Sequence, residues 1–363
     1  MEMPDELMPG GLGRLWRQWL ADHATDHFGL EAKHQEMDVP ALTTTGWYDQ
    51  QIGAIKNFTG LRENGMSERT RDNQYLIVGP WEHDETVWPS KLGPLDFGPQ
   101  AHLDFYDISD QWFSRWLKDD ENALDDWPRV RLFIMGRNEW RSADQWPLPE
   151  TQYTEFYLHS GGEANDVDGD GVLSQIAPAA EPADRYSYDP RDPVMSIITM
   201  GAGHGPFDQR PLDGRRDILR FATVCLEQAV EVTGPVFLKL FAASSARDTD
   251  FTARLIDVRP DGFAQELCYG IVRARYRDSF EAPTLIAPGK VYEYHIEMNP
   301  TGNLFLPGHR IRVDISSSDF PNFDRNHNTG GDDYCESTLV TAQQTVFRDA
   351  ARPSRIVLPV IPA

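Results

Sequence analysis

The sequence predicts an α/β unit followed by an all-β sandwich, and three observations support this division. Apolar runs typical of strands flank one helical stretch in the first third of the chain. From Arg129 onward, short apolar or alternating runs, among them ILRFATVCL, VYEYHIEM and RIRVDISSS, are separated by turn residues. An acidic segment, DDENALDDWP, lies between the two patterns, so we expect the domain boundary near Asp126.

The first residues of the chain carry a helical pattern. Apolar side chains recur at Leu12, Leu15, Trp16, Trp19 and Leu20, and this spacing predicts one face of a helix packed in a core. The segment before it has neither a basic start nor a long apolar run, so it lacks the features of a signal peptide.

Residues 38–84 follow the order strand, loop, helix, strand and loop. The runs VPALTTT and QYLIVG predict the two strands, and a helix is expected from about Gln51 to Glu63. Asp49 follows the first strand and His83 follows the second. In an open α/β sheet, loops beyond the carboxyl ends of neighbouring strands face one crevice, so we expect Asp49 and His83 to meet there.

A facing acid and histidine fit the last two members of a catalytic triad whose chain order is nucleophile, acid and histidine. The acid would accept a hydrogen bond from the imidazole Nδ1, and the other ring nitrogen would take the proton of the nucleophile. The spacing alone leaves an alternative open, in which Asp49 caps a turn or a helix and His83 is a loop histidine.

The motifs around these residues, GWYD and GPWEH, resemble those of the CocE/NonD serine hydrolases, the cocaine esterase and X-Pro dipeptidyl-peptidase family. The resemblance implies an α/β-hydrolase domain in which Asp49 is the triad acid and His83 is the general base. It also suggests substrate-binding positions at Trp47, Tyr48 and Trp81 within the same motifs. No cofactor is expected for this chemistry.

The nucleophile of this family is the serine of a G-x-S-x-G turn that precedes the acid. The chain contains no such motif, and no serine precedes Asp49. We therefore expect the chain to be the C-terminal two-thirds of a hydrolase, produced by a misplaced start or a truncated reading frame. The resemblance makes residues 1–37 the remainder of a helical cap, with Trp16, Trp19 and Phe28 near the acyl pocket.

The second unit carries further segments of this kind in the expected order, including MGRNEWR, DTDFTARLIDVRPDG and PGHRIRVDISSSDFP. They resemble the jelly-roll C-terminal domain of the same hydrolases. The resemblance therefore divides the chain into cap residues 1–37, the C-terminal part of an α/β-hydrolase domain at 38–126, and a jelly-roll β-sandwich at 127–363.

A jelly roll can also be a binding module, which provides a hypothesis of another class. Exposed Trp127, Trp140 and Trp146 would form a platform on which sugars stack. Because the three tryptophans cluster at the domain junction, we favour interface packing instead.

One loop of the second unit imitates the start of a calcium site. Asp166, Asp168 and Asp170 occupy its first, third and fifth positions, and Gly171 occupies the sixth. The twelfth position, where a bidentate glutamate belongs, is Ala177, so a Gly/Asp turn is the favoured interpretation. The histidines of this unit show no paired spacing typical of a metal site, and no metal is expected.

Charge and composition exclude several classes of partner. The formal net charge is −23 and the isoelectric point is about 4.7, which disfavours nucleic acid and anionic membranes because both would be repelled. Three thinly spread cysteines argue against a disulfide framework. No window approaches the roughly 18 apolar residues of a membrane span, so a soluble protein is expected, with the cytoplasm as the favoured compartment.

Together with the family resemblance, these residues predict acyl transfer to water through an acyl-enzyme. The expected substrates are small-molecule esters, amides or X-Pro peptides, and the expected partners are the missing hydrolase segment or a second copy of the chain. The alternatives are a catalytically inactive fragment and a jelly-roll module that binds carbohydrate.

Overall fold

The computed structural model describes residues 31–49, 52–83, 87–197, 207–332 and 335–362. The cap residues Trp16, Trp19 and Phe28 lie outside these ranges. A short 3₁₀ helix at Glu31–Glu36 opens the described chain, and others lie at Pro99–Ala101, Arg210–Leu212 and Ala274–Tyr276.

The helices and strands of the described residues are numbered in chain order. The α-helices are α1 Ile52–Asn64, α2 Glu68–Asp72 and α3 Phe105–Leu117. The strands are β1 Ala41–Gly46, β2 Gln74–Gly79, β3 Val87–Trp88, β4 Lys91–Leu92, β5 Leu95–Asp96, β6 Leu103–Asp104, β7 Val130–Ile134, β8 Glu139–Ala143, β9 Gln152–His159, β10 Val172–Ser174, β11 Asp184–Tyr188, β12 Leu219–Ala222, β13 Val230–Ser244, β14 Asp250–Val258, β15 Ala264–Arg273, β16 Tyr292–Phe305, β17 Arg310–Ser316, β18 Ala342–Asp349, β19 Arg352–Pro353 and β20 Arg355–Ile361.

The first unit is built on a sheet with the order β1-β2-β7-β8. β1 and β2 are parallel, and α1 and α2 form the crossover between them. Phe58 of α1 is buried in the same cluster as Leu76 of β2, and Ile108 of α3 is buried beside Ile77. Successive residues of a strand point to opposite faces, so helices cover both faces of β2. The predicted strands VPALTTT and QYLIVG, and the helix between them, are present close to their expected limits.

Strand β7 differs from the expectation. The β-sandwich was expected to begin at residue 127, but the run VRLFI, Val130–Ile134, pairs with β2 in parallel and with β8 in antiparallel fashion. All its apolar side chains are buried, which is typical of a strand covered on both faces. The pairing carries the first sheet past the predicted boundary at Asp126. Beyond β7, the backbone of Met135 bonds to Gly302 and Leu304 of β16, which joins the first sheet to the second unit.

Residues 87–104 contain two short strand pairings, β3 with β6 and β4 with β5. Helix α3 follows them. Its Trp112 is buried, whereas Tyr106, Phe113 and Leu117 are exposed. The described residues therefore cover only part of the aromatic face of this helix.

The second unit is one continuous sheet of twelve strands, β9 to β20. Its order is β11-β18-β13-β16-β15-β14-β17-β12-β10-β9-β20, with β19 paired to β18. One edge of β13 pairs with β16 and the other with β18 and β20, so the strand order folds back on itself. Buried side chains such as Leu238, Leu240, Ile296 and Ile356 belong to its core. The prediction of an all-β second unit is confirmed.

Candidate active site

The carboxyl ends of β1 and β2 lie side by side. Their register pairs Gly46 with Gly79, so both strands end at the same level. Asp49 lies in the turn after β1, where its backbone N–H donates to Gly46 O at 3.0 Å and Thr45 Oγ1 donates to Asp49 Oδ2 at 3.2 Å. His83 lies in the loop that follows β2. The topology therefore directs both loops to one edge of the sheet.

The two candidate catalytic side chains meet at this edge, as predicted. His83 Nδ1 lies 3.3 Å from Asp49 Oδ1. The His83 side chain is 64% exposed and that of Asp49 is 24% exposed, so the imidazole is accessible while the carboxylate lies in a partly covered turn. In such an arrangement a carboxylate can orient an imidazole that acts as a general base.

Two glycines allow the two loops to approach each other closely. A Cβ on Gly46 would lie 2.0 Å from the Trp81 carbonyl oxygen, and a Cβ on Gly79 would lie 2.4 Å from the Trp81 ring. Both distances are far shorter than a van der Waals contact, so a larger residue at either position would force the loops apart. The packing of Trp81 therefore requires the glycine of GWYD and the glycine that ends β2.

Trp47, Tyr48 and Trp81 are buried, and each makes a hydrogen bond in the interior. Trp47 Nε1 donates to Phe133 O at 2.6 Å, and Trp81 Nε1 donates to Ala101 O at 2.9 Å. The backbone N–H of Tyr48 donates to Trp81 O at 3.0 Å and links the two loops. These contacts give the three residues packing roles. Their role in substrate binding stays a prediction.

The second unit reaches the loop that carries Asp49. Gln265 of β15 donates from Nε2 to the Tyr48 hydroxyl at 2.7 Å, and both side chains are buried. Arg259 Nη2 donates to Gln265 Oε1 at 2.7 Å. Burial raises the pKa of Tyr48 well above its usual range, so the hydroxyl stays neutral. Sequence reasoning missed Gln265, because no local pattern shows which loop a strand residue will meet.

The residue after Gln265 belongs to a charged cluster. Arg254 Nε lies 3.2 Å from Glu266 Oε2, and Arg254 Nη2 lies 2.6 Å from Asp319 Oδ1. Burial raises the pKa of Glu266 to about 7, although the Arg254 charge opposes the shift. Burial also acts on Asp319, but Arg254 and several hydrogen bonds hold the pKa of that carboxyl below its usual range. The sequence analysis did not find this cluster. A glutamate near the start of an apolar strand, as Glu266 is in β15, is the pattern that could have revealed it.

Comparison with known proteins identifies the family. Residues 122–357 match the family model of the X-Pro dipeptidyl-peptidase C-terminal non-catalytic domain. The chain is 43% identical to the cocaine esterase of Rhodococcus sp. strain MB1 Bresler, over 96% of this chain and 62% of that protein. The chain belongs to the CocE/NonD hydrolase family. The resemblance inferred from the motifs is thereby confirmed.

Solved structures agree with this membership of the family. An α-amino acid ester hydrolase has a TM-score of 0.84 and 27% identity, covering 98% of this chain and 61% of that one. An aminopeptidase from the marine sediment archaeon Thaumarchaeota archaeon has a TM-score of 0.80 and 28% identity, covering 96% and 60%. The chain thus spans 60% to 62% of the length of these three relatives.

The three tryptophans at the junction of the two units pack against neighbouring rings. The ring centroids of Trp140 and Trp81 lie 5.7 Å apart, and those of Trp146 and Trp47 lie 6.2 Å apart. Trp127 packs edge-on against a tyrosine of β2 at 6.2 Å. The three rings therefore pack against protein, as favoured from the sequence, but Trp140 lies on β8 of the first sheet and Trp127 packs on β2, so these two contacts are within the first unit.

The loop that imitates a calcium site has its carboxylates engaged by protein donors. Asp166 Oδ2 lies 2.6 Å from Arg216 Nη1. Asp170 accepts hydrogen bonds from Ser160 Oγ at 2.6 Å and from the Gly161 N–H at 2.5 Å. Within the residues that the structure describes, no group of three His, Cys, Asp or Glu side chains is placed to hold a metal ion. The contacts of the loop are those of a turn.

Two further features of the described residues bear on the class of protein. No helix among them is both long enough and apolar enough to cross a membrane. Cys225, Cys268 and Cys335 are free thiols, and burial raises the pKa of Cys268 well above its usual range. A buried thiol of this kind stays protonated and is a poor nucleophile, so Cys268 does not replace the serine of the triad.

Proposed function

We propose that this chain supplies the acid and the general base of a serine hydrolase that cleaves carboxylic esters through an acyl-enzyme. The observation that carries the proposal is the 3.3 Å contact between Asp49 Oδ1 and His83 Nδ1, beyond the carboxyl ends of two parallel strands. An α/β-hydrolase domain has its acid and base in this order. Membership of the CocE/NonD family supports the same assignment.

In the proposed mechanism, His83 Nε2 takes the proton of the serine hydroxyl while the serine oxygen attacks the ester carbonyl carbon. His83 then donates that proton to the leaving alcohol. Asp49 accepts a hydrogen bond from Nδ1, holds the tautomer and stabilises the imidazolium. Water next attacks the acyl-enzyme with His83 again as base, which releases the carboxylic acid and regenerates the serine.

We infer that the serine and the oxyanion-hole donors belong to a segment that precedes these residues in the complete hydrolase. The sequence has no G-x-S-x-G motif and no serine before Asp49. Within the part of the chain that the structure describes, β1 is an edge strand, and an upstream strand can pair with its outer edge. The greater length of the relatives supports the same inference.

Esters are the substrate class that the relatives favour. Two of them are named as ester hydrolases, one for cocaine and one for α-amino acid esters, and the third is named as an aminopeptidase. Amides and X-Pro peptides are the second class for the same site, because acyl transfer to a serine followed by hydrolysis also cleaves an amide.

The test joins the chain to the preceding part of the Rhodococcus cocaine esterase and measures hydrolysis of p-nitrophenyl butyrate. The joined protein is expected to turn over the ester. His83→Ala is expected to lower kcat by about 10³- to 10⁴-fold, because the serine then has no general base. Asp49→Asn is expected to lower kcat by a comparable factor, because the imidazole loses the partner that holds its tautomer.

Two controls separate the chemistry from folding. The chain alone is expected not to react with a fluorophosphonate, which labels activated serines. His295→Ala removes an equally exposed histidine from β16 and is expected to leave turnover unchanged. Full turnover by the His83→Ala protein, or stoichiometric labelling of the chain alone, would overturn the assignment.

A further inference from the structure

The carboxylate of Asp49 uses its two oxygen atoms in two different contacts. Oδ1 lies 3.3 Å from His83 Nδ1, and Oδ2 accepts a hydrogen bond from Thr45 Oγ1 at 3.2 Å. An ionised carboxylate only accepts hydrogen bonds, so the threonine hydroxyl is the donor. Because the carboxylate group is planar, a contact that fixes Oδ2 also sets the direction in which Oδ1 points.

Thr45 holds its hydroxyl in a rigid part of the sheet. It lies near the end of β1, opposite Val78 of the parallel strand β2, and only 6% of its surface is exposed. Branching at Cβ restricts the rotation of its side chain. The position of Oγ1 is therefore set by the same sheet that places the loops of Asp49 and His83.

The turn that joins Thr45 to Asp49 leaves one main freedom to the acid. The N–H of Asp49 donates to Gly46 O, and the N–H of Tyr48 donates to Trp81 O, both at 3.0 Å. These two bonds hold the backbone of the turn. The rotation of an aspartate carboxylate about its last side-chain bond has no sharply preferred angle, however. A hydrogen bond from a fixed group such as Thr45 Oγ1 restricts this rotation.

We propose that Thr45 is a positioning residue for the reaction of Asp49 and His83. Its hydroxyl restricts the carboxylate so that Oδ1 faces His83 Nδ1, which keeps the imidazole in the tautomer whose Nε2 is free to accept a proton. This inference rests on the proposed hydrolase function and deepens it, because it assigns control of the general base to a side chain of β1 outside the triad. Thr45 acts through Asp49 and has no contact with the substrate in this proposal.

A hydroxyl that only fills a buried position would have different consequences. Its loss would lower stability and leave the imidazole unchanged, whereas the loss of a positioning hydroxyl changes both the imidazole tautomer and the rate. The tautomer is a direct readout, because the hydrogen bond of one ring nitrogen decides where the proton lies. A hydrogen bond to an ionised group is also stronger than one between neutral groups, so the loss of the Thr45 donor is expected to be measurable at His83.

The first measurement uses the full chain with ¹⁵N-labelled histidine rings and needs no turnover. Ring ¹⁵N chemical shifts at about pH 9, well above the ordinary imidazole pKa of about 6.5, show which nitrogen carries the proton, and His83→Ala identifies the signals of His83. The wild type is expected to hold this proton on Nδ1. Thr45→Val nearly keeps the shape of the side chain, and it is expected to lower the ratio of the Nδ1–H to the Nε2–H tautomer by about tenfold. Thr45→Ser keeps the hydroxyl and is expected to keep the ratio.

Thr43→Val is the matched control. Thr43 lies two residues before Thr45 on the same face of β1, and the loss of its hydroxyl is expected to leave the tautomer ratio unchanged. Circular dichroism checks that each variant is folded, and Thr45→Ala provides the same comparison if Thr45→Val does not fold. An equal ratio in the wild type and the variant without the Thr45 hydroxyl, an equal change in Thr43→Val, or a wild type with its proton on Nε2 would overturn the proposal.

Kinetics of the joined protein test the consequence for the reaction. Thr45→Val is expected to lower kcat for p-nitrophenyl butyrate by about tenfold and to leave KM within about twofold, and Thr45→Ser is expected to restore kcat. A slower reaction that comes only from a raised KM would contradict a positioning role. If the joined wild type did not turn over the ester, the proposed function would fail, whereas the tautomer ratio would still support or overturn the positioning of the imidazole by Thr45.

Discussion

Two aspartate–histidine pairs in this chain bring the same atoms together in different surroundings. Asp49 Oδ1 and His83 Nδ1 lie 3.3 Å apart at an accessible edge of the first sheet. Asp257 Oδ1 and His309 Nδ1 lie 2.7 Å apart inside the second unit, where the side chains are 4% and 12% exposed. The shorter contact therefore belongs to the pair that we do not place in the mechanism.

The surroundings of the buried pair indicate a structural role. The second carboxylate oxygen of Asp257 accepts a hydrogen bond from Asn303 Nδ2 at 3.3 Å, so the pair links β14, β16 and the start of β17. Burial raises the pKa of Asp257, although the His309 charge opposes the shift. A general base must come within hydrogen-bond reach of its substrate, and His309 exposes little surface. Accessibility at a strand end, rather than a short contact, distinguishes a candidate catalytic pair.

The largest expected effect on stability comes from breaking the buried pair. His309→Ala leaves the Asp257 carboxyl buried without its histidine, and it is expected to lower the free energy of unfolding by about 3–5 kcal/mol. Urea unfolding followed by circular dichroism measures this change. A loss smaller than about 1 kcal/mol, the usual range for exposed pairs, would contradict a structural role for the pair.

The next largest effect concerns Glu266 of the second unit, whose largely buried side chain pairs with Arg254. Burial raises its pKa from 4.5 to about 7, so the folded state holds the proton more tightly than the unfolded state. This stability is fully present below about pH 4.5 and is lost as the pH rises through about 7. Glu266→Gln removes the titration, so its stability relative to the wild type is expected to rise by roughly 3 kcal/mol over this range, at about 1.4 kcal/mol per pKa unit.

The difference in the free energy of unfolding between the wild type and Glu266→Gln depends on pH only through the titration of Glu266. Asp250, whose pKa is raised to about 6 by burial, titrates in both proteins and cancels from the difference. The measurement is a series of urea unfolding curves across this pH range. Parallel pH profiles would mean that Glu266 is as well solvated in the folded chain as in the unfolded chain, and that Arg254 does not hold it in a buried cluster.

The sequence predicts the parts of this site that depend on local pattern and chain order. Apolar runs located β1 and β2, and the rule for carboxyl strand ends predicted that Asp49 and His83 meet. The sheet to which VRLFI belongs, and the contact of Gln265 with Tyr48, depend on which elements pack together, and short-range patterns do not encode that choice. The β-bulge that the pairing of β14 with β15 forms at Leu267 escaped prediction for the same reason, because it is defined by the partner strand.

The smallest expected effect on stability comes from breaking the accessible pair. His83→Ala is expected to change the free energy of unfolding by less than about 1 kcal/mol, because water stabilises two exposed groups almost as well as their contact with each other does. The same urea experiment that measures His309→Ala checks this value. If the loss of His83 removes turnover and leaves the free energy of unfolding unchanged, its contact with Asp49 serves the reaction and not the fold. If His83→Ala destabilised the chain as strongly as His309→Ala, the contact of His83 with Asp49 would stabilise the fold. The Asp49–His83 and Asp257–His309 pairs would then have the same structural role.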